Sequence, residues 1–310
     1  MKDKFGLVLC GGGAKGAYQM GALQALEEDG YLDDFCGVSG VSIGALNELI
    51  LCCCGTTTGK KVWKTINPST VFDVDLSMLD GREGVFSRGK MRELLYQYVD
   101  FDKIRTAVYP IYVTVAPVDG LYGEGNAYGG MVNQAEYHKL NEKTDAEIVT
   151  LMEATSALPV IYEDVSYGGV RYRDGGLLDN IPIKPLYDSG CRKFLILSLS
   201  TNAKINTELY PDAEFYLLKP YRDLGGLLSG TLNFTVSEIS MNLKLGYKDG
   251  KRFIKAFLEG DQLVATHYDM YAQIDYDAVM VEMKQEELQA GIDEKLNYMA
   301  DIMKKYDVKR

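Results

Sequence analysis

Two short motifs near the start of the chain carry residues able to do acyl-transfer chemistry. Gly40-Val41-Ser42-Ile43-Gly44 is a G-x-S-x-G pattern. Its small residues let a strand turn sharply into a helix and leave a serine hydroxyl exposed at the bend. Such a bend puts the Ser42 Oγ at a helix N-terminus, where free amides and the helix dipole favour developing negative charge. About 30 residues earlier, Gly11-Gly12-Gly13-Ala14-Lys15-Gly16 follows a short apolar run. Its glycines can present backbone N–H groups with no Cβ in the way, as an oxyanion hole requires. Read together, the motifs supply a nucleophile and an oxyanion site, the parts of a serine acyl hydrolase.

A serine nucleophile needs a base, and the chain offers few. Its two histidines are His138 and His267. The order Ser42, Asp174, His267 matches the triad order of α/β-hydrolases. Those enzymes place the elbow after several strands, whereas here one strand and one helix precede the elbow strand. His267 lies in the tail, and His138 sits in the polar run Glu136-Tyr137-His138-Lys139. Asp174 precedes two glycines in Arg173-Asp174-Gly175-Gly176, at the end of an expected strand, from where a carboxylate can reach a cleft. The glycine loop also has a rival reading. Gly11, Gly13 and Gly16 satisfy G-x-G-x-x-G, with Asp33 and Asp34 about 20 residues on, as a dinucleotide site wants. That reading leaves Ser42 and Asp174 without roles. A P-loop fails, because Ala17 rather than Lys follows Gly16.

In this order the motifs resemble the patatin-like phospholipase family, from Phe5 to about Ser200. Gly11 to Gly16 resembles the family's oxyanion motif, Gly40 to Gly44 its nucleophile motif and Asp174-Gly175-Gly176 its aspartate motif. Ala154-Thr155-Ser156-Ala157-Leu158-Pro159 and Asp179-Asn180-x-Pro182 are similar to the stretches on either side of that aspartate. The resemblance implies a three-layer α/β/α fold with a central, mostly parallel sheet. It also implies a Ser-Asp dyad without histidine: Ser42 as nucleophile, Asp174 as base, and the amides of Gly11, Gly12 and Gly13 holding the oxyanion. A lone carboxylate is a weak base, so such a dyad needs a partly desolvated site. Many members carry a second small residue where this chain has Ile43, which is expected to narrow the acyl pocket. A silent lipid-binding or regulatory member is the alternative, against which all the motif residues are present.

The elements that position these motifs follow from local pattern. Phe5–Cys10 reads as a buried strand and Ala17–Asp29 as a helix closed by Gly30. Phe35–Ser39 is a second strand, and Ile43–Cys54 an apolar helix closed by Gly55. Thr56–Gly84 is irregular, and Arg88–Val99 is an amphipathic helix. Tyr109–Val118 is a central strand, Gly120–His138 a hairpin or adjoining strands and Asp145–Ser156 a helix. Val160–Val165 and Val170–Arg173 bracket Gly168-Gly169 as a second hairpin. Lys193–Ser200 is a buried strand and Phe215–Leu218 one more. Helices are expected over Leu232–Tyr247 and Tyr276–Tyr306. The division is a catalytic unit over residues 1–205 and a mostly helical extension over 206–310, packed on the core.

Composition narrows the setting. The 310 residues are 46% hydrophobic, enough for one large core, and carry a formal net charge of −11. That charge excludes nucleic acid as a partner and disfavours docking on anionic membranes. The expected partners are a lipid or ester substrate and, transiently, a membrane surface; the sequence sets no oligomeric state. Six cysteines, three of them consecutive at Cys52, Cys53 and Cys54, read as small buried hydrophobes in a reducing compartment. No ligand spacing calls for a metal, no calcium loop is present, and no cofactor is expected. The first apolar run is too short for a secretion signal and none reaches the roughly 18 residues of a membrane span, so the chain reads as cytoplasmic.

Overall fold

The computed structural model describes residues 4–68, 73–74, 86–118, 134–159 and 161–307. Its centre is an eight-stranded sheet. In chain order the strands are β1 (Phe5–Leu9), β2 (Phe35–Val41), β3 (Ile111–Val118), β4 (Glu136–Lys139), β5 (Val165–Tyr167), β6 (Val170–Asp174), β7 (Lys193–Leu197) and β8 (Glu214–Leu218). Their order across the sheet is β8-β7-β1-β2-β3-β6-β5, with β4 also pairing on β3. From β8 to β3 every pairing is parallel, and β4, β6 and β5 add antiparallel pairs at one side. This is the expected α/β/α fold with a mostly parallel central sheet.

Alternation along β1 builds the layers. Leu7 and Leu9 face one side of the sheet and Val8 and Cys10 the other, and all four are fully buried. Helix α1 (Gly16–Glu28) and helix α2 (Ile43–Thr65) cover the first side. They are joined there by α3 (Gly89–Tyr98), α4 (Phe101–Thr106) and α5 (Asp145–Thr155). The second side is covered more thinly, by Leu186 of α6 (Lys184–Asp188) and by Ile183 just before it.

The later chain is continuous with this core. Strand β8 extends the sheet beyond β7. Helix α7 (Val236–Phe253) lies so close to α1 that a Cβ on Gly21 would stand 2.0 Å from the Leu243 carbonyl oxygen. A Cβ on Gly246 would stand 1.8 Å from the Tyr18 carbonyl oxygen. Only hydrogens at these positions let the two backbones meet. Helix α8 (Tyr268–Asp307) packs its first half on α7 through Ala272, Tyr276, Val279 and Met283.

Three expectations are corrected. Helix α2 does not end at Gly55: that residue takes φ 71°, and the chain resumes a helix through Thr65, buried by Val62 and Trp63. Thr56–Thr65 is therefore helical rather than irregular. The cysteines are not all thiols, since Cys36 and Cys191 are joined in a disulfide with Cα atoms 5.9 Å apart. Cys36 is the second residue of β2 and Cys191 precedes β7, on either side of β1, and Gly6 on β1 leaves the space between them open. The cysteines thus lose their force as a sign of a reducing compartment. The expected hairpin over Gly120–His138 lies largely outside the described residues, which there include only 134–138. Among the described residues no helix is long and apolar enough to cross a membrane.

Candidate active site

Sheet register brings the chemistry-bearing residues together. Val41 at the end of β2 pairs with Thr114 on β3, and Asp174 at the end of β6 pairs with the next residue, Val115. Ser42 follows Val41 directly and so stands across β3 from Asp174. The Ser42 Oγ donates a 2.7 Å hydrogen bond to Asp174 Oδ2, and the Gly176 amide donates to Oδ1 at 2.9 Å.

The elbow is enforced by close packing. Ser42 has φ 54° and ψ −128°, the single positive φ outside glycine among the described residues. A Cβ on Gly40 would lie 2.6 Å from the Ala45 Cα, and one on Gly44 would lie 2.2 Å from the Leu9 carbonyl oxygen. Any side chain at either position would push α2 away from the strands that aim Ser42. Thr155 clamps the bend, accepting from the Ser42 amide at 2.8 Å and donating to the Thr114 carbonyl at 2.5 Å. Two residues on, the Ala157 carbonyl accepts from the Asp174 amide at 3.0 Å. The Ala154–Pro159 stretch, which the sequence marked without a role, therefore grips both ends of the Ser42–Asp174 pair.

The glycine loop is tied down beside them. Gln19 Nε2 donates to the Cys10 carbonyl at 3.2 Å, and Asn47, itself bonded by the Trp63 indole, donates to the Gly16 carbonyl at 2.9 Å. Asn180 Oδ1 accepts the Gly11 amide at 3.0 Å. Gly11 was expected in the oxyanion site, but its N–H is already spent on this bond. The Gly12 and Gly13 amides have no acceptor among the described residues. Asn180 and Thr155 are the positioning residues that sequence reasoning passed over. Their signal was present only as flanking similarity, because Thr155 acts on Ser42 from 113 positions away and Asn180 on Gly11 from 169.

Burial sets the electrostatics. Asp174 is 6% exposed, and desolvation pushes its pKa from 3.8 up to about 6, against the hydrogen bonds from Ser42 and Gly176, which pull it down. Neither histidine approaches this pair. His138 sits on β4 edge-on to the rings of Tyr167 and Tyr172, and His267 is exposed, its Nδ1 3.1 Å from the Leu263 carbonyl. Asp33 and Asp34 precede β2, at the opposite end of the sheet from the glycine loop, and Asp34 pairs with Lys4. A dinucleotide site needs its acid at the C-terminal end of that strand, so this rival reading fails.

Ser42, Asp174 and the loop open into a cavity of about 320 Å³. Its walls are mainly apolar, from Ile43, Leu46, Met91, Leu94, Tyr162 and Phe234. Ile43 stands next to the serine, where the sequence expected it to narrow the pocket. A second cavity of about 60 Å³ shares Ile43, Leu46, Ile66, Met91 and Leu94 with the first. Among the described residues no cluster of His, Cys, Asp or Glu could hold a metal ion.

Comparison with known proteins agrees with this architecture. The chain is 26% identical over 221 residues to lysophospholipase NTE1 of two strains of Cryptococcus neoformans var. neoformans. That stretch is 68% of this chain but 12% of the relative, so the likeness concerns one part of a much longer protein. The solved structure of VipD from Legionella pneumophila superposes over 95% of this chain and 77% of its own, with a TM-score of 0.51 and 14% identity, a likeness of fold. The sequence profile of patatin-like phospholipases matches residues 7–187, which take in the glycine loop, the Ser42 elbow and the Asp174 turn. With more than half of its length inside that match, the chain belongs to the patatin-like phospholipase family.

Proposed function

We propose that this protein hydrolyses fatty-acyl ester bonds of lipids through a Ser42–Asp174 dyad. The observation that carries the reading is the 2.7 Å Ser42–Asp174 hydrogen bond at the wall of an apolar cavity. Asp174 takes the Ser42 proton as the Oγ attacks the ester carbonyl, and the carbonyl oxygen becomes an oxyanion held by the Gly12 and Gly13 amides. Collapse of the tetrahedral species breaks the ester C–O bond. Asp174 returns its proton to the leaving alkoxide, and an alcohol or lysolipid departs. Water then gives a proton to Asp174 and attacks the acyl-enzyme. The second collapse releases the fatty acid as Asp174 returns that proton to the Ser42 Oγ, restoring both groups.

The apolar walls suit an acyl chain, with the second cavity beyond Ile66 and Met91 as room for a longer one. Phospholipase A, lysophospholipase and carboxylesterase activity all use this chemistry. The segment after residue 205 acts as part of the catalytic unit, since Thr231, Leu232 and Phe234 help to wall the pocket. The neighbouring turn exposes Leu227 and Leu228, and Leu177 is exposed just past Asp174, so a lipid surface is the natural approach to the mouth. Replacing Leu227 and Leu228 by serine should reduce turnover of vesicle phospholipid several-fold and leave a soluble short-chain ester unaffected. Equal loss on both substrates would remove the surface from the account.

The test of the activity itself is turnover of phosphatidylcholine and lysophosphatidylcholine, with products read by mass spectrometry. Free fatty acid should appear with wild type and vanish with Ser42→Ala. Fatty acid released equally by Ser42→Ala would refute the assignment.

A further inference from the structure

Helix α8 carries a second apolar stripe, on the side opposite its packing against α7. Beyond Met283 this helix leaves the body after an ion pair of Glu286 with Lys244 of α7, and residues 284–304 are all exposed. Ile274, Val281, Leu288 and Ile302 fall at seven-residue intervals, with Lys295 in the remaining place. Four residues after each of the central members come Gln285, Ile292 and Met299. Alternating steps of four and three over nearly 30 residues make the seam of a coiled coil about 42 Å long. Its apolar members are between 36% and 58% exposed, an uncovered surface that water would not favour.

We infer that this seam pairs with the same seam of a second copy of the chain, in antiparallel orientation. The two polar members of the stripe decide both points. In a parallel, in-register pair Lys295 would face Lys295, two like charges in one buried layer. In one antiparallel register Ile292 meets Leu288 of the other copy and Met299 meets Val281. That same register sets Lys295 opposite Gln285, whose side-chain oxygen can accept from the ammonium. The polar interruptions match each other, and the apolar positions match apolar ones. A lipid surface suits this helix poorly. Glu282, Glu286, Glu287, Asp293 and Glu294 outnumber Lys284 and Lys295 along its middle, where a surface-seeking helix carries Lys and Arg. The seam faces away from the body, so each body sits on the outer side of the helix pair.

Sedimentation velocity of the full chain across the micromolar range tests this. Wild type should show a concentration-dependent particle of twice the chain mass. Leu288→Glu with Ile292→Glu should be monomeric with unchanged circular dichroism, because these side chains have no partner within one copy. Gln285→Glu reads the orientation. It should tighten the dimer several-fold by facing Lys295 of the other copy, and weakening would mean a parallel pair and overturn the proposed geometry. A wild-type monomer at every concentration overturns the proposal, whether or not it binds phosphatidylcholine vesicles.

Discussion

Two buried carboxyls flank the Ser42 elbow and behave differently. Asp174 accepts from Ser42 and from the Gly176 amide, and its pKa comes to rest at about 6. Glu48, six residues along α2 from Ser42, is fully buried beneath Gly40. Neither of its oxygens has a hydrogen-bond partner among the described residues. Burial holds it well above the usual carboxylate range. Burial alone therefore makes a carboxyl that keeps its proton. Burial offset by two donors makes one that ionises below neutral pH and already touches the proton it is to remove. That contrast, more than proximity to serine, singles out Asp174 as the proposed base.

The largest effects should come from the pair itself. Asp174→Asn should lower kcat by roughly 10²–10⁴-fold, the range for loss of a general base, with the fold intact by circular dichroism. Glu48→Gln should change kcat by less than about twofold, within the scatter that separates a structural group from a reacting one. If the two variants lose activity alike, the contrast is wrong.

The pH dependence sharpens the comparison and runs in opposite directions for activity and stability. Activity should rise as pH passes about 6, because only the Asp174 carboxylate can accept the serine proton. Stability should fall over the window from about 4 to 6. There the unfolded chain has released the proton that native Asp174 still holds, so the native state binds more protons. A shift of about two pKa units corresponds to a cost of about 3 kcal/mol at neutral pH. Asp174→Asn should remove much of that cost and raise Tm at pH 8 but not at pH 4, a calorimetric check independent of turnover.

A smaller effect is expected from the clamp. Thr155→Val leaves the Ser42 amide without its acceptor, at a cost of roughly 1–3 kcal/mol in unfolding experiments. It should lower kcat more than it raises KM, since it loosens the aim of Ser42 without touching the apolar walls. An unchanged kcat would show that the strained elbow holds itself.

These same residues show what a sequence reveals. The elbow was legible because its close approach excludes side chains at Gly40 and Gly44 and so leaves a local signature. The succession of strands and helices around it followed from short apolar runs broken by glycine. Thr155, Asn180 and the Cys36–Cys191 bridge were not legible, since each acts on a partner between 113 and 169 positions away and leaves no periodic trace. Gly55 misled for the opposite reason: a helix-ending glycine was present, but packing of Val62 and Trp63 carries the helix past it. Glu48 was hidden inside an apolar helix, where spacing says nothing about whether a carboxyl finds a partner.

The most direct test of the central claim is covalent labelling with a fluorophosphonate, read by intact mass on wild type, Ser42→Ala and Asp174→Asn across pH 5–8. The account predicts one adduct on wild type, formed faster as pH rises through about 6, absent in Ser42→Ala and slow at every pH in Asp174→Asn. An adduct that persists in Ser42→Ala, or a wild-type rate that ignores pH and survives Asp174→Asn, would contradict it.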